Sequence, residues 1–242
     1  MKAVKLLVLL ILLPFFTQAQ SNDSDYYESE FIWGINKNTS GGLIGGIIFR
    51  KSKRISDRMY QSLGIELMNV KHPQETRSNS TIGNFFIFGK SNYLYAIRGQ
   101  YGRELILFRK APQQGVEIKA IGAIGPSIGI LAPYFIEFDP DGVQGGAIQT
   151  RSEQYNPNVH SFNSILGTGH LFQGIQDSEI KLGANVKMAL SFELGTSKNN
   201  VTGFEAGFLL DAYTEEIVLV PTANNRAVFP IAFFTLFYGS RR

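Results

Sequence analysis

Three histidines, His72, His160 and His170, are the only imidazoles this 242-residue chain offers for base or metal chemistry. His160 and His170 share the stretch 131–177 with Ser161, Ser164 and Asp177. A nucleophile, a base and an orienting acid can be drawn from those residue types. No spacing fixes such an arrangement, however, and His72 in Lys71-His72-Pro73 sits where a strand gives way to a loop. Ordinary loop histidines are the stronger reading. The chain has no cysteine, which removes thiol nucleophiles, Cys-ligated zinc or iron–sulfur centres and a disulfide scaffold. Asp139-Pro140-Asp141-Gly142 opens like a calcium loop but lacks the later acidic ligands of an EF-hand, so it reads as a turn. Ser40-Gly41-Gly42, Gly45-Gly46 and Gly145-Gly146 are not followed by the Gly-Lys-Ser/Thr of a phosphate loop. No cofactor and no metal is expected.

The remaining residues able to do chemistry are charges: Glu66, Arg98, Glu104, Glu117, Lys119, Lys181, Lys187, Glu193, Glu205 and Asp211. What they do depends on the elements that carry them. In Ser178–Lys198 the even positions read Ile180, Leu182, Ala184, Val186, Met188, Leu190, Phe192 and Leu194. The odd positions read Lys181, Gly183, Asn185, Lys187, Ala189, Ser191, Glu193 and Gly195. This is a period of two, which a helix would scramble. The run of about 15 residues is long for a soluble strand, where about 5–6 is usual. It suits a tilted bilayer-spanning strand with rims. After the turn Thr196–Asn200 the pattern resumes, with Phe204, Ala206, Phe208, Leu210 and Ala212 on one face and Gly203, Glu205, Gly207 and Asp211 on the other.

Other segments follow suit. Leu63, Ile65 and Leu67 oppose Ser62, Gly64 and Glu66. Tyr93, Tyr95, Ile97 and Tyr101 oppose Arg98 and Gln100. Segment 116–130 sets Val116, Ile118, Ala120 and Ile124 against Glu117 and Lys119. Segments 30–36, 42–49 and 226–239 read as apolar on both faces. Eight strands leave links near 37–41, 51–58, 71–91, 109–115, 131–177, 196–200 and 215–226. After the first, short links alternate with long ones, as periplasmic turns and external loops do in membrane barrels. The expected fold is all-β, an antiparallel up-and-down transmembrane β-barrel of eight strands. Ten strands, with extra ones in 79–90 or 131–176, is the alternative. A barrel of eight has just enough interior for side chains to fill, so the ten charges are expected to pair across a plugged polar lumen. Leu63, Ile65, Leu67, Ile180, Leu182, Val186, Met188, Leu190, Phe192, Phe204, Phe208 and Leu210 are expected to face lipid. Trp33, Tyr26, Tyr27, Tyr93, Tyr95, Phe237 and Tyr238 are expected to form an interfacial aromatic girdle.

Residues 1–20 have the parts of a signal peptide: Lys2 and Lys5, the apolar run Leu6–Leu13, and Ala19-Gln20 at the exit. Its cleavage would take two of the 23 basic residues, leaving 21 against 20 acidic ones. Such a near-neutral chain lacks the clustered basic excess of a nucleic-acid binder. Residues 21–29 form a short acidic lead-in, with Asp23, Asp25, Glu28 and the adjoining Glu30 read as solvated. Residues 30–242 are expected to be the barrel domain.

With the leader ending in Ala-Gln, the Gly-rich alternating strands and the aromatic last strand Phe229–Tyr238, the sequence resembles the small outer-membrane β-barrel proteins of Bacteroidota. The resemblance runs along the whole chain after the leader and rests on pattern, with no catalytic signature. It implies a monomeric outer-membrane barrel, and a last strand closed by an aromatic residue that the insertion machinery reads. Here Gly239-Ser240-Arg241-Arg242 follows Tyr238.

The expected function is non-catalytic: a structural or binding and assembly role. Its partners would be outer-membrane lipid and lipopolysaccharide, the barrel-insertion machinery, and an envelope protein met through loops 71–91 and 131–177. Two alternatives make distinct demands. A rim-active enzyme acting on lipid A or peptides needs a histidine within hydrogen-bond reach of a serine or acid. A soluble periplasmic lipid-binding barrel needs the 180–194 apolar row to point inward.

Overall fold

A computed structural model describes residues 27–42, 44–110, 115–140, 150–170, 173–194 and 199–242. The leader, most of the acidic lead-in, Tyr26, Asp141-Gly142, Gly145-Gly146 and the turn residues 195–198 lie outside the described residues.

Eight strands close into an antiparallel barrel: β1 (Ser29–Asn38), β2 (Gly46–Arg54), β3 (Met59–Val70), β6 (Asn92–Phe108), β7 (Glu117–Pro133), β11 (Glu179–Leu194), β12 (Asn200–Ile217) and β13 (Arg226–Arg241). Each pairs with its predecessor in this series, and β13 closes on β1 through Glu30↔Arg241 to Asn38↔Phe233. The start of β1, the end of β13 and the short links 55–58, 109–116 and 195–199 share one end of the barrel; the links 39–45, 71–91, 134–178 and 218–225 share the other. The two long links hold strands of their own, outside the barrel wall. These are the hairpin β4 (Thr76–Asn79) with β5 (Phe85–Phe88), and a sheet of β8 (Phe135–Phe138), β9 (Arg151–Gln154) and β10 (Ile165–Thr168). The extra strands of the ten-strand alternative therefore exist, but they build a cap over the mouth.

Period-two alternation forces the side-chain partition. The 180–194 row points outward, with Ile180 and Met188 each 70% exposed. That excludes the inward row which a soluble lipid-binding barrel requires. Leu63, Ile65, Leu67, Leu182, Val186, Leu190, Phe208 and Leu210 are likewise outward and exposed. Phe192 and Phe204 are outward but half-buried, because their rings stack 4.9 Å apart and Phe204 stacks on Phe234 at 5.5 Å. Inside, glycine makes room for rings: a Cβ on Gly203 would lie 2.7 Å from Phe237 Cζ.

Three readings of segments need correction. Strand β2 runs five residues past Phe49, four of them in the expected turn 51–58, so Arg50 and Ser52 join the inward face. The register also turns Tyr27 and Phe237 into the lumen, both buried, whereas a girdle would need them outside. Trp33 and Tyr238 are outward, edge-to-face at 6.3 Å. Finally, β13 continues through Gly239-Ser240 to Arg241, because Arg241 pairs with Glu30 across the closing seam.

Candidate functional site

The lumen holds a chain of alternating charges along the barrel axis. Strands β6 and β12 place Arg98 and Asp211 with Nε–Oδ2 at 2.8 Å, and Ser127 and Tyr213 donate to the same carboxylate at 2.5 and 3.1 Å. Arg98 Nη1 also reaches Glu66 at 3.6 Å. Glu66 accepts from Lys187 Nζ at 2.7 Å, and Lys187 lies 2.8 Å from Glu205. Arg50 then joins Glu205 at 2.6 Å to Glu104 at 3.1 Å, with Ser52 donating to Glu104 at 2.6 Å. Lys119 carries the series to Glu30 at 2.9 Å and Glu117 at 3.5 Å. At the short-turn end Arg241 binds Glu30 at 2.8 Å and Glu117 at 3.0 Å, and also pairs with Glu193, which Lys110 meets from the turn side.

Burial decides what this arrangement can do. Glu205, Glu104 and Asp211 are fully enclosed, and Glu66, Arg98, Lys119, Lys187 and Glu193 nearly so. Charges this dry survive only when each is paired. The series therefore acts as internal packing that fixes the eight strands in one register. Tyr27 and Tyr60 floor it, stacked at 4.6 Å, with the Arg241 guanidinium 3.8 Å above the Tyr27 ring. Toward the long-loop end the filling turns apolar. Met68, Val70, Leu94, Leu131, Ile217, Leu219 and Val220 pack as one cluster. Asn225 pins that loop by accepting from Leu219 N at 3.0 Å and donating to Val220 O at 2.9 Å.

Two of the charge assignments change. Lys181 faces the same way as Lys187 but stands at the outer rim. There it pairs with Glu179 and Glu215 at 2.9 and 2.7 Å, both well exposed. The cause is position, since β11 begins only two residues earlier. Glu30, read as solvated, is 2% exposed and central to the network. The residues that sequence reasoning missed are Glu30, Arg50, Arg241, Lys110 and Asn185.

Asn185 repairs the wall. The β6–β7 pairing passes from Arg98↔Ser127 to Tyr101↔Ile124 and skips Gly99 and Gln100. Pro126, beside the gap, has no N–H to give. The Asn185 amide nitrogen lies 3.3 Å from Gly99 O and 3.1 Å from both Gly125 O and Pro126 O, and its oxygen accepts from Gln100 at 3.3 Å.

The histidines lie on the long-loop side. His72 accepts from Gln74 N at 3.2 Å and its other nitrogen meets Asn224 O at 3.1 Å. His160 is buried, accepts from Asn156 N at 3.0 Å and packs on Phe138, with Glu153 3.9 Å away. His170 is exposed. Ser161 and Ser164 bond to each other at 3.3 Å. Among the described residues none of the three imidazoles has a serine or carboxylate at hydrogen-bond distance, which is the geometry a rim hydrolase needs.

The cap has a core of its own: Phe86, Tyr134, Ile136, Phe138, Tyr155 and Ile165. Tyr134 is its fully buried pin, accepting from Ile87 N at 3.0 Å and bonding Thr168 Oγ1 at 2.8 Å. Burial raises the Tyr134 phenol above its ordinary value. At the cap's base Lys90 is fully buried with both Nζ–O distances to Glu75 at 2.8 Å, and its ammonium sits 4.4 Å above the Tyr93 ring. Burial pulls Lys90 below the usual lysine range, against the opposing pull of Glu75. On top, Phe88 and Phe162 are exposed with rings 5.4 Å apart.

No protein-family model matches this sequence, and neither does any curated protein. Among solved structures, the chain is similar to Ail, the attachment invasion locus protein of Yersinia pestis, determined alone and in complex with the heparin analogue sucrose octasulfate. The TM-score is 0.40 at 9% identity, covering 90% of this chain and 100% of that one. It is also similar to neisserial surface protein A, with a TM-score of 0.38 at 9% identity, over 90% of this chain and 96% of that one.

Proposed function

We propose that this chain is an integral outer-membrane β-barrel, monomeric and non-catalytic, whose closed lumen is scaffold and whose cap meets a partner in the envelope. The observation that carries the reading is the inversion of the barrel. A continuous apolar surface faces out, while a paired ionic interior faces in. Water outside would expose that surface at great cost, whereas hydrocarbon requires it. Strand length agrees, since the 16 residues of β11, tilted as in such barrels, rise about 37 Å, enough for a hydrocarbon core of about 30 Å with rims. The end that holds the start of β1, the end of β13 and the short turns would be periplasmic, with the cap outside amid lipopolysaccharide. This orientation is that of the Bacteroidota barrels the sequence resembles, delivered by the leader and inserted by the barrel machinery.

The binding role rests on the cap. Two loops that fold into a hairpin and a three-stranded sheet and still expose Phe88 and Phe162 offer an ordered aromatic surface for a protein partner. The apolar seal at Leu219 and Val220 argues against a solute path. Gels of boiled and unboiled detergent extracts from separated membranes test the core of the reading. The expected result is outer-membrane recovery with a faster unboiled band, and no single-channel conductance in planar bilayers. A soluble periplasmic protein, or stable conductance steps, would overturn it.

A further inference from the structure

The outer wall is not uniformly smooth. Beside the gap that Asn185 repairs, a groove of about 550 Å³ crosses β1, β2, β3, β6 and β7, walled by Phe31, Phe49, Leu63, Tyr101, Ile124 and Pro126. Gly99 forms its floor. It is an outward position without a side chain, in line with Ile65 and Phe49 across β3 and β2. The volume is that of a small-molecule site, and the walls are almost wholly apolar.

Register places a basic row at one end of the groove. Lys53, Gln61 and Arg103 stand side by side on β2, β3 and β6, and Lys51 lies in the next row, opposite Phe31 and Leu63. Lys51, Lys53 and Arg103 are exposed, on the outward face and toward the short-turn end. Among the described residues none of the three is ion-paired, although the lumen charges are. An apolar slot ending in three unpaired cations complements one kind of molecule, with long hydrocarbon at one end and negative charge at the other.

We propose that this groove binds one phospholipid with an anionic head group from the leaflet at the short-turn end. An acyl chain lies over Gly99, and the phosphate lies against Lys51, Lys53 and Arg103. The inference rests on the membrane reading given above.

The test uses the full mature chain, folded in a neutral detergent and titrated with dioleoyl phosphatidylglycerol or dioleoyl phosphatidylcholine, with retained lipid counted by native mass spectrometry. One phosphatidylglycerol per barrel is expected, held about tenfold or more tightly than phosphatidylcholine, as a few interfacial cations confer. Gly99→Leu fills the groove and abolishes retention. Its backbone is not left-handed and its Cβ would stand 3.5 Å from Pro126 Cγ, an ordinary contact, so the barrel still folds. Lys53→Gln with Arg103→Gln keeps the groove and removes the head-group preference. No stoichiometric lipid on a folded barrel, equal retention by Gly99→Leu, or a dimer in place of a lipid adduct would each overturn the site. Failure of the membrane reading looks different, because the chain would then show no heat-modifiable band and no partition into detergent.

Discussion

The barrel and its cap are built from the same chain with opposite interiors. The barrel encloses Glu205, Lys187, Arg50 and their partners and turns Met188, Phe208 and Ile180 outward. The cap encloses Phe86, Ile136 and Tyr134 and carries charge on its surface in Glu153, Arg151 and Arg77. Side-chain polarity thus reverses at the rim, where Lys181 with Glu179 and Glu215 already behaves as a solvated surface cluster. Burial follows solvent. Where the surroundings are apolar, the interior can be held by ion pairs; where they are water, the interior must be apolar.

Two neighbouring residues test this contrast most severely. Lys187 points in and Met188 points out, so one substitution at each exchanges the logic of the two faces. Lys187→Met leaves Glu66 and Glu205 without a shared cation in a closed interior, and breaking a buried pair from one side costs about 3–5 kcal/mol. Urea unfolding of vesicle-reconstituted protein, followed by Trp33 fluorescence, should show that loss. Lys181→Gln, which removes the two rim pairs to the exposed Glu179 and Glu215, should leave the midpoint unmoved. If both variants unfold alike, the lumen network is not what holds the strands.

Met188→Lys makes the converse change. An unpaired ammonium on the outward face of a membrane barrel costs about 2–4 kcal/mol near the bilayer midplane. In a detergent micelle, water reaches the surface more easily and the cost should shrink. Equal stability of Met188→Lys and the unaltered chain in lipid vesicles would place that face in water.

How much of this was legible differs between the regions for a physical reason. Period two shows in a sequence only when the two faces differ in polarity. Strands β11 and β12 therefore announced themselves, and with them Lys187, Glu193, Glu205 and Asp211. In β2 the apolar Ile47, Ile48 and Phe49 hid the alternation that ends in Arg50 and Ser52. Glu30 and Arg241 sit in the first and last barrel strands, 211 residues apart, and become partners only when the barrel closes. Asn185 looked like any small polar residue on a strand, because its task is set by a missing N–H on Pro126 in the adjacent strand. The cap strands have four residues each, too few for alternation to register. Their core comes from long-range packing, which leaves no local signature.

The smallest expected effect separates the cap from the barrel by pH. Lys90 is held below the ordinary lysine value by burial, so the opened cap binds a proton more readily than the closed one. From the lowered value up to about 10.5 the open state carries more protons, and cap stability rises with pH. Tyr134 and Tyr155 act in the opposite sense. Burial raises both, so above about 10 the opened cap loses phenolic protons that the closed cap keeps, and stability falls. Cleavage of loops 71–91 and 134–178 by a protease active in alkali should therefore slow and then quicken as pH rises. Lys90→Met should remove the slowing and leave the quickening. The barrel strands should stay uncut throughout, since their backbones are paired on both sides around the closed wall. A cap whose cleavage rate follows the same course with and without Lys90 would mean that the Glu75 pair is incidental to how the mouth is closed.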